Sequence, residues 1–238
     1  MHTRVQTWFS PDLSGGALTL DASDDGWLRL RISIDGPVRD RRSWALDPAS
    51  APGRRWAPVS VPEPVTEPAT AAVRVRAVGG GDVEGTINPE ADSRGLVAER
   101  VSRARLTIAG TALAPVMPAI AIARSRDGIR VDLPLPPDRP VYGLGERTGG
   151  LDKRGRTWTF WNSDDPLHTP NRDPLYQSIP VAYLFAPGET VTLFSDSPAN
   201  QYIDVGESDP DAIHLEVYDT QLELYLRVDP ALLADVTA

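Results

Sequence analysis

Residues 27–34 have the sequence Trp-Leu-Arg-Leu-Arg-Ile-Ser-Ile, in which apolar and polar side chains alternate with a period of two. The apolar residues from Leu28 to Ile34 fall on one face of such a strand, and Arg29 and Arg31 fall on the other. Because successive side chains of a β-strand point to opposite faces of the sheet, the alternation predicts a half-buried strand. We expect its arginines to coat a solvated sheet face.

Similar short apolar segments recur along the chain, and each is bounded by Gly, Pro, Asn or Asp. The 23 Pro and 19 Gly among 238 residues disfavour long helices and favour many short strands joined by turns. The sequence therefore predicts an all-β fold, specifically an antiparallel β-sandwich. The further predicted strands are residues 73–77, 103–108, 119–123, 129–133, 157–161, 179–185, 191–194, 201–205, 213–218 and 222–228.

Three segments depart from the strand pattern. Residues 47–68 are dense in Pro, Ala and Arg and have no period, which predicts an exposed loop. The glycines at 79–81 predict a turn between two strands. Asp229 can serve as an N-cap and Pro230 as a first helical residue, so we expect a short helix to begin there. The chain stops inside this helix, which favours a piece of a longer polypeptide.

Composition excludes several classes of function. The chain has 24 Lys and Arg against 33 Asp and Glu, and the resulting net charge of −9 would repel nucleic acid. The sequence has no Cys, no signal peptide pattern and no apolar run that could span a bilayer, so neither a disulfide framework nor a membrane partner is expected. We expect a cytoplasmic protein.

The most distinctive sequence lies in the second half of the chain. It begins with Val-Tyr-Gly-Leu-Gly-Glu-Arg at 141–147 and Gly-Gly-Leu-Asp-Lys-Arg-Gly at 149–155, and continues with Trp-Asn-Ser-Asp at 161–164 and Asp-Pro-Leu-Tyr-Gln-Ser-Ile-Pro at 173–180. In this order and spacing the segments resemble the N-terminal β-sandwich of glycoside hydrolase family 31, the α-glucosidase and α-xylosidase family. The first half, up to about Pro140, matches only in its expected all-β character.

The resemblance implies a galactose mutarotase-like supersandwich over residues 1–228, with residues 229–238 leading toward a catalytic (β/α)8 barrel. Glycoside hydrolysis needs two carboxyl groups flanking one bond, roughly 5 Å apart for retention. In the family both are aspartates of the barrel, and no acidic residue here falls in a matching motif. We therefore expect no catalytic residue in this chain, although the parent polypeptide is expected to be a glycosidase of the α-glucosidase type.

The resemblance also implies that the loop between about residues 161 and 175 binds substrate. The aspartate of the family's Trp-Asn-x-Asp motif, which contacts sugar hydroxyls, corresponds to Asp164. A carboxylate can accept charge-assisted hydrogen bonds from two vicinal hydroxyls. Trp161 and Asn162 belong to the same motif, and Asp165 follows directly, so the doublet leaves open which carboxylate points toward the sugar. Motif position favours Asp164.

The two tryptophans of this region, Trp158 and Trp161, each have two interpretations. An exposed indole could stack on the apolar face of a pyranose, whereas a buried indole would be part of the core, which is the commoner role of tryptophan. Asp164 likewise has an alternative role as a turn residue.

Other polar residues are predicted to be structural. The glycines of 143–147 resemble a phosphate-binding loop, but no helix pattern follows, so we predict a tight backbone path and an ion pair between Glu146 and Arg147. His168 lies in the substrate loop, whereas His2 and His214 lie elsewhere, so no clustered metal ligands and no cofactor are expected.

Three functions remain. The first is the non-catalytic domain of a family 31 glycosidase, whose partners would be a carbohydrate such as an α-glucoside and the barrel of the same polypeptide. The second is a free-standing carbohydrate-binding module. The third is an aldose epimerase such as a mutarotase, which needs a positioned acid and base, commonly His with Glu, and for which only His168 occupies a plausible loop.

Overall fold

The computed structural model describes residues 6–7, 17–23, 26–41, 43, 56–58, 65–66, 72–76, 82–86, 103–107, 113, 115–117, 119–125 and 127–230. The regular secondary structure of these residues consists of β-strands, and none of the described segments forms a helix long and apolar enough to cross a membrane. The strands are β1 (Gln6–Thr7), β2 (Ala17–Ser23), β3 (Leu28–Ser33), β4 (Trp56–Pro58), β5 (Val65–Thr66), β6 (Ala72–Arg76), β7 (Asp82–Thr86), β8 (Arg103–Thr107), β9 (Ala119–Arg124), β10 (Ile129–Pro134), β11 (Val141–Gly145), β12 (Arg156–Phe160), β13 (Ser178–Leu184), β14 (Thr190–Asp196), β15 (Gln201–Val205), β16 (Ala212–Val217) and β17 (Gln221–Asp229).

The strands form two large antiparallel sheets. The first has eight strands in the order β1-β2-β3-β17-β14-β13-β11, with β4 also paired to β2. The second has seven strands in the order β12-β15-β16-β10-β9-β8-β5, and β6 pairs with β7 as a separate two-stranded sheet. The predicted all-β sandwich is confirmed.

The core lies between the inner faces of the two sheets. Leu30 and Leu224 of the first sheet and Val131 and Ile213 of the second are fully buried and belong to one continuous hydrophobic cluster. Burying a Leu or Ile side chain contributes about 1.5–3 kcal/mol relative to leaving it exposed, so this cluster supplies most of the driving force for folding. The alternation in residues 27–34 therefore predicted the inner face of β3 correctly.

The prediction that the arginines of β3 coat a solvated face is wrong. Arg31 is 9% exposed, and its Nη2 donates to Asp21 Oδ2 at 3.1 Å while its Nε donates to Thr19 Oγ1 at 3.0 Å. Arg29 Nη2 donates to the same Asp21 oxygen at 2.9 Å. The two guanidinium groups tolerate burial because they share the carboxylate of Asp21 on neighbouring β2, and Arg31 Nη1 also donates to Asp40 Oδ1 at 3.2 Å.

The prediction of a loop over residues 47–68 also needs correction, because two short strands lie within it. β4 pairs with β2 and β5 pairs with β8, each over only two or three residues at a sheet edge. Edge strands tolerate proline and need no buried face, so they leave no alternating pattern in the sequence. The turn predicted at residues 79–81 lies outside the described residues, and the strands on either side of it, β6 and β7, pair antiparallel.

The sequence also predicted a helix beginning at Asp229. Asp229 is the last residue of β17 and pairs with Thr190 of β14. Pro230, the predicted first helical residue, is exposed and lies in a bend, and residues 231–238 lie outside the described residues.

Candidate functional site

The loop between β12 and β13, residues 161–177, projects from one end of the sandwich and is closed at its base. Asn162 Oδ1 accepts the backbone N–H of Ser178 at 2.8 Å, and the N–H of Ser163 donates to the backbone oxygen of Leu175 at 3.2 Å. Leu175 is buried, whereas most of the residues between 161 and 172 are exposed. The loop therefore presents polar and aromatic side chains outward from a fixed base.

A buried ion pair holds the loop to the body of the domain. Arg147 Nη1 donates to Asp173 Oδ1 at 2.6 Å, and Asp173 Oδ2 accepts the backbone N–H of Thr159 at 2.6 Å. The guanidinium of Arg147 lies 4.9 Å from the centre of the Phe160 ring. Burial lowers the pKa of Arg147, and the charge of Asp173 opposes that shift. The predicted pair between Glu146 and Arg147 is wrong, since Glu146 is exposed and Arg147 points to Asp173.

Three further contacts tether the same part of the loop. Thr148 Oγ1 donates to the backbone oxygen of Arg172 at 2.8 Å, and Arg156 Nη2 donates to the backbone oxygen of Asn171 at 3.2 Å. Within the loop, Arg172 Nε lies 2.8 Å from Asp165 Oδ2. The loop is thus fixed by several independent bonds along its returning half.

The backbone of β11 explains how Arg147 reaches this position. Gly143, Leu144 and Gly145 have φ angles of 101°, 68° and 81°, and the pairing register with β13 shifts between Gly143 and Gly145. Positive φ is readily adopted by glycine and is strained for leucine. A Cβ at Gly145 would lie 2.0 Å from the backbone oxygen of Gln177, so the glycine also permits close approach to the end of the loop. The predicted tight backbone path is confirmed.

The two carboxylates of the doublet differ in their surroundings. Asp165 is half-buried and engaged by Arg172, whereas Asp164 is exposed. A hydrogen bond with Asp164 raises the pKa of the exposed Tyr176 hydroxyl. Asp164 therefore keeps acceptor capacity facing solvent. The role of Asp164 as a sugar ligand remains a prediction.

The two tryptophans differ in their exposure to solvent. Trp158 is 1% exposed, its Nε1 donates to the backbone oxygen of Lys153 at 2.9 Å, and the guanidinium of Arg156 lies 4.2 Å from its ring centre. It is a core residue, as its alternative interpretation expected. Trp161 is 61% exposed and, with Asn162, lines a cavity of about 400 Å³ at the base of the loop.

The histidines do not assemble an acid and base in this loop. His168 Nδ1 lies 3.0 Å from the backbone oxygen of Asp165, and the ring is exposed. Within the described residues a histidine contacts a carboxylate only at His214, whose Nδ1 lies 2.7 Å from Asp132 Oδ1 on the outer face of the second sheet. The geometry gives the epimerase interpretation no support at the loop.

Comparison with known proteins places this architecture in a family. The sequence model of the glycosyl hydrolase 31 N-terminal galactose mutarotase-like domain matches residues 17–204, which includes most of both sheets. The chain belongs to this family. The α-glucosidase-like family predicted from the four linked segments is thereby confirmed.

Two curated relatives of this family 31 domain are α-glucosidases. Alpha-glucosidase 2 of Bacillus thermoamyloliquefaciens is 49% identical over 57 residues, which is 24% of this chain and 7% of the relative. An alpha-glucosidase of Saccharolobus solfataricus is 25% identical over 111 residues, which is 47% of this chain and 16% of the relative. The family 31 domain thus spans a small fraction of the curated relatives that it matches.

Among solved structures, the domain is similar to a family 31 dextranase from Flavobacterium johnsoniae in complex with isomaltotriose. The TM-score is 0.55 at 20% identity, and the match covers 90% of this chain and 25% of the dextranase chain. At this identity the likeness establishes the shared fold alone.

Sequence reasoning missed two residues that shape the site. Asp173 and Tyr176 lie in the segment 173–180, which carried the family resemblance without an assigned role. Asp173 bonds to a residue 26 positions earlier, and no local pattern reports such a contact. Tyr176 is an exposed aromatic next to a buried Leu175, which is a signal that it faces something other than the core.

Proposed function

We propose that this family 31 domain is non-catalytic and that its β12–β13 loop contributes Asp164 to a sugar-binding site completed by a catalytic barrel of the same polypeptide. The observation that carries the proposal is the exposed Asp164 carboxylate on a loop that the Arg147–Asp173 pair holds to the sandwich. A carboxylate on a fixed loop can accept hydrogen bonds from sugar hydroxyls without a large ordering cost on binding.

The environment of the doublet supports Asp164 over Asp165. The bond from Arg172 satisfies an oxygen of Asp165 and holds it against the loop. Asp164 has no arginine partner among the described residues and is exposed, which leaves its lone pairs for a ligand. Trp161, at 61% exposure, offers an aromatic face near the base of the same loop.

The loop also carries apolar surface that favours a protein partner. The described residues include six exposed large apolar side chains, and four of them, Trp161, Leu167, Tyr176 and Ile179, lie between residues 161 and 179. Such clustering marks interaction surfaces. We infer that the barrel of the same polypeptide covers Leu167 and Ile179, while Asp164 and Trp161 face the sugar.

The test is Asp164→Ala in the polypeptide that carries this domain with its catalytic region, assayed on maltose, isomaltose and longer α-glucosides. Loss of one charge-assisted hydrogen bond of about 1.5–3 kcal/mol predicts a decrease of roughly tenfold or more in kcat/KM. The melting temperature should not change, because Asp164 is exposed.

The matched control is Glu207→Ala, which removes one exposed carboxylate from the opposite end of the sandwich. Its kcat/KM should equal that of the natural protein. Asp165→Ala should affect kcat/KM less than Asp164→Ala. Unchanged kinetics of Asp164→Ala on every α-glucoside would refute the proposed role.

A further inference from the structure

The cavity at the base of the β12–β13 loop adjoins a second cavity. The second has a volume of about 430 Å³, and both are walled by Pro180, Ser197 and Pro198. It lies on the outer face of the first sheet, where β14 ends and β17 begins. We call the two cavities together the end groove, with Trp161 in its near half and Asp196 and Glu223 in its far half.

The far half of the end groove contains two carboxylates side by side. Asp196 of β14 and Glu223 of β17 are direct partners in the antiparallel register. Burial raises the pKa of Glu223, and the charge of Asp196 raises it further, although Tyr225, Arg29 and Arg31 act in the opposite direction. Like charges directly opposite each other on a sheet are destabilising, so this pair opposes folding.

The surrounding groups leave acceptor capacity in the far half. The Tyr225 hydroxyl donates to Glu223 Oε2 at 3.0 Å, and no donor among the described residues bonds the side-chain carboxylate of Asp196. Arg41 lines the same cavity, but its Nη1 and Nη2 bond Asp219 at 2.5 and 3.1 Å. The far half therefore favours a ligand that brings its own hydrogen-bond donors and carries no negative charge.

An apolar wall stands beside these acceptors. Phe194 lines the far half and stacks on Tyr225 with ring centres 5.6 Å apart and planes at 26°, which fixes the orientation of its ring. Pro180 and Pro198 add apolar surface where the two halves meet. Phe194 is only 9% exposed, so the wall consists of its remaining accessible surface and the two prolines. Apolar surface and carboxylates in one groove match a sugar, which has an apolar C–H face and a rim of hydroxyl donors.

We propose that the far half of the end groove is a second sugar-binding site, which takes units of an oligosaccharide beyond those held at the β12–β13 loop. The inference rests on the proposed function, because the shared wall at Pro180, Ser197 and Pro198 connects the site to Trp161 and Asn162. Asp196 and Glu223 accept hydrogen bonds from sugar hydroxyls, and the apolar wall of Phe194, Pro180 and Pro198 contacts the C–H face of a pyranose.

The experiment uses the polypeptide that carries this domain and measures the affinity for glucose, isomaltose and isomalto-oligosaccharides of increasing length by calorimetry, with malto-oligosaccharides in parallel. Affinity should increase with chain length. Asp196→Asn and Glu223→Gln should each weaken the long oligosaccharides roughly tenfold and leave glucose and isomaltose unchanged. Gln at 223 keeps an acceptor for the Tyr225 hydroxyl, and Glu216→Gln on the other sheet is the matched control.

Asp164→Ala separates this inference from the proposed function, because it should weaken all the sugars. If Asp164→Ala has its effect but both far-half variants bind long oligosaccharides as the natural protein does, the second site is refuted and the loop site stands. Affinity that is independent of chain length refutes the second site as well. Binding of calcium alone that both variants abolish would assign the carboxylates to a cation and would also overturn it. If Glu223→Gln lowers the melting temperature, the test rests on Asp196→Asn, because Asp196 is partly exposed and its substitution should not affect folding.

Discussion

Arg147 Nη1 and Asp173 Oδ1 lie 2.6 Å apart beneath the β12–β13 loop, and their side chains are 1% and 11% exposed. This pair joins the turn after β11 to the last residues of a loop that has no secondary structure of its own. Because both groups are desolvated, each depends on the other for compensation of its charge. The conformation of the loop is thereby coupled to the stability of the fold.

Asp173→Asn should lower the free energy of unfolding by about 3 kcal/mol, since it leaves Arg147 buried without a counter-charge. Urea denaturation measures the change. Asp165→Asn is the matched control: it breaks the more exposed pair with Arg172, and we expect a loss of at most about 1 kcal/mol. Equal losses in the two variants would show that the buried pair does not anchor the loop.

Trp158→Ala should reduce the stability of the fold, whereas Trp161→Ala should reduce sugar binding. Trp158 is 1% exposed in the core, so its truncation should lower the free energy of unfolding by about 3–5 kcal/mol. Trp161 is 61% exposed, so its truncation should change that quantity by less than about 1 kcal/mol while weakening sugar binding. Thermal unfolding measures the stability of the two variants, and calorimetric titration with sugar measures their affinity. A large loss of stability in Trp161→Ala would assign this indole to structure.

Asp132 should contribute to stability against acid. Burial disfavours its charge, but hydrogen bonds from His214 and Arg130 outweigh burial and lower the pKa from 3.8 to about 2. The folded state therefore binds fewer protons than the unfolded state between these values. Asp132 contributes about 2 kcal/mol that is fully present above about pH 4 and is lost as the pH falls toward about 2.

Asp132→Asn should accordingly flatten the dependence of the unfolding free energy on pH in that window, measured by urea denaturation at a series of pH values. The exposed Asp127→Asn should leave the dependence as it is in the natural protein. If the unfolding free energy of Asp132→Asn changes with pH as steeply as that of the natural protein, Asp132 is not the source of this acid stability.

Gly145→Ala should destabilise the domain by more than about 2 kcal/mol, because a Cβ there would meet the Gln177 backbone oxygen at 2.0 Å in addition to the positive φ of 81°. Gly155→Ala is the control, since its φ is 75° but no atom lies within 4 Å of the added Cβ. We expect that variant to lose only about 1 kcal/mol. The denaturant midpoints of the two variants are compared. Equal midpoints would mean that the close approach of Gly145 to the Gln177 backbone oxygen does not affect stability.

The sequence predicted most of the strands that bury one face against the core, although β2, whose Leu18 and Leu20 belong to the core, was not predicted. β10, β15, β16 and β17 agree with their predicted ranges to within a residue or two, because alternation and flanking turn residues report burial directly. β11 was not predicted as a strand, since its glycines and the strained Leu144 break the pattern that identifies strands. The short edge strands β4 and β5 carry no period at all.

The candidate site was predictable only in part. The family motif located Asp164 and Trp161, and the exposure of both is consistent with the role it implies. The Arg147–Asp173 pair and the placement of Tyr176 near Asp164 depend on how the chain returns upon itself. Such contacts between distant positions leave no local signature, and a neighbouring opposite charge, Glu146, offered a misleading partner.

The position of β17 has a consequence for how the domain is made. This strand lies between β3 and β14 near the middle of the larger sheet, so the last described strand of that sheet must pair with β3, which lies near the start of the chain. Pairings that span most of a chain form slowly, because loop closure precedes the stabilising contacts. During synthesis, the edges of β3 and β14 that pair with β17 stay unpaired until residues 221–229 have left the ribosome. The domain therefore completes its larger sheet only after almost all of its described residues have been translated.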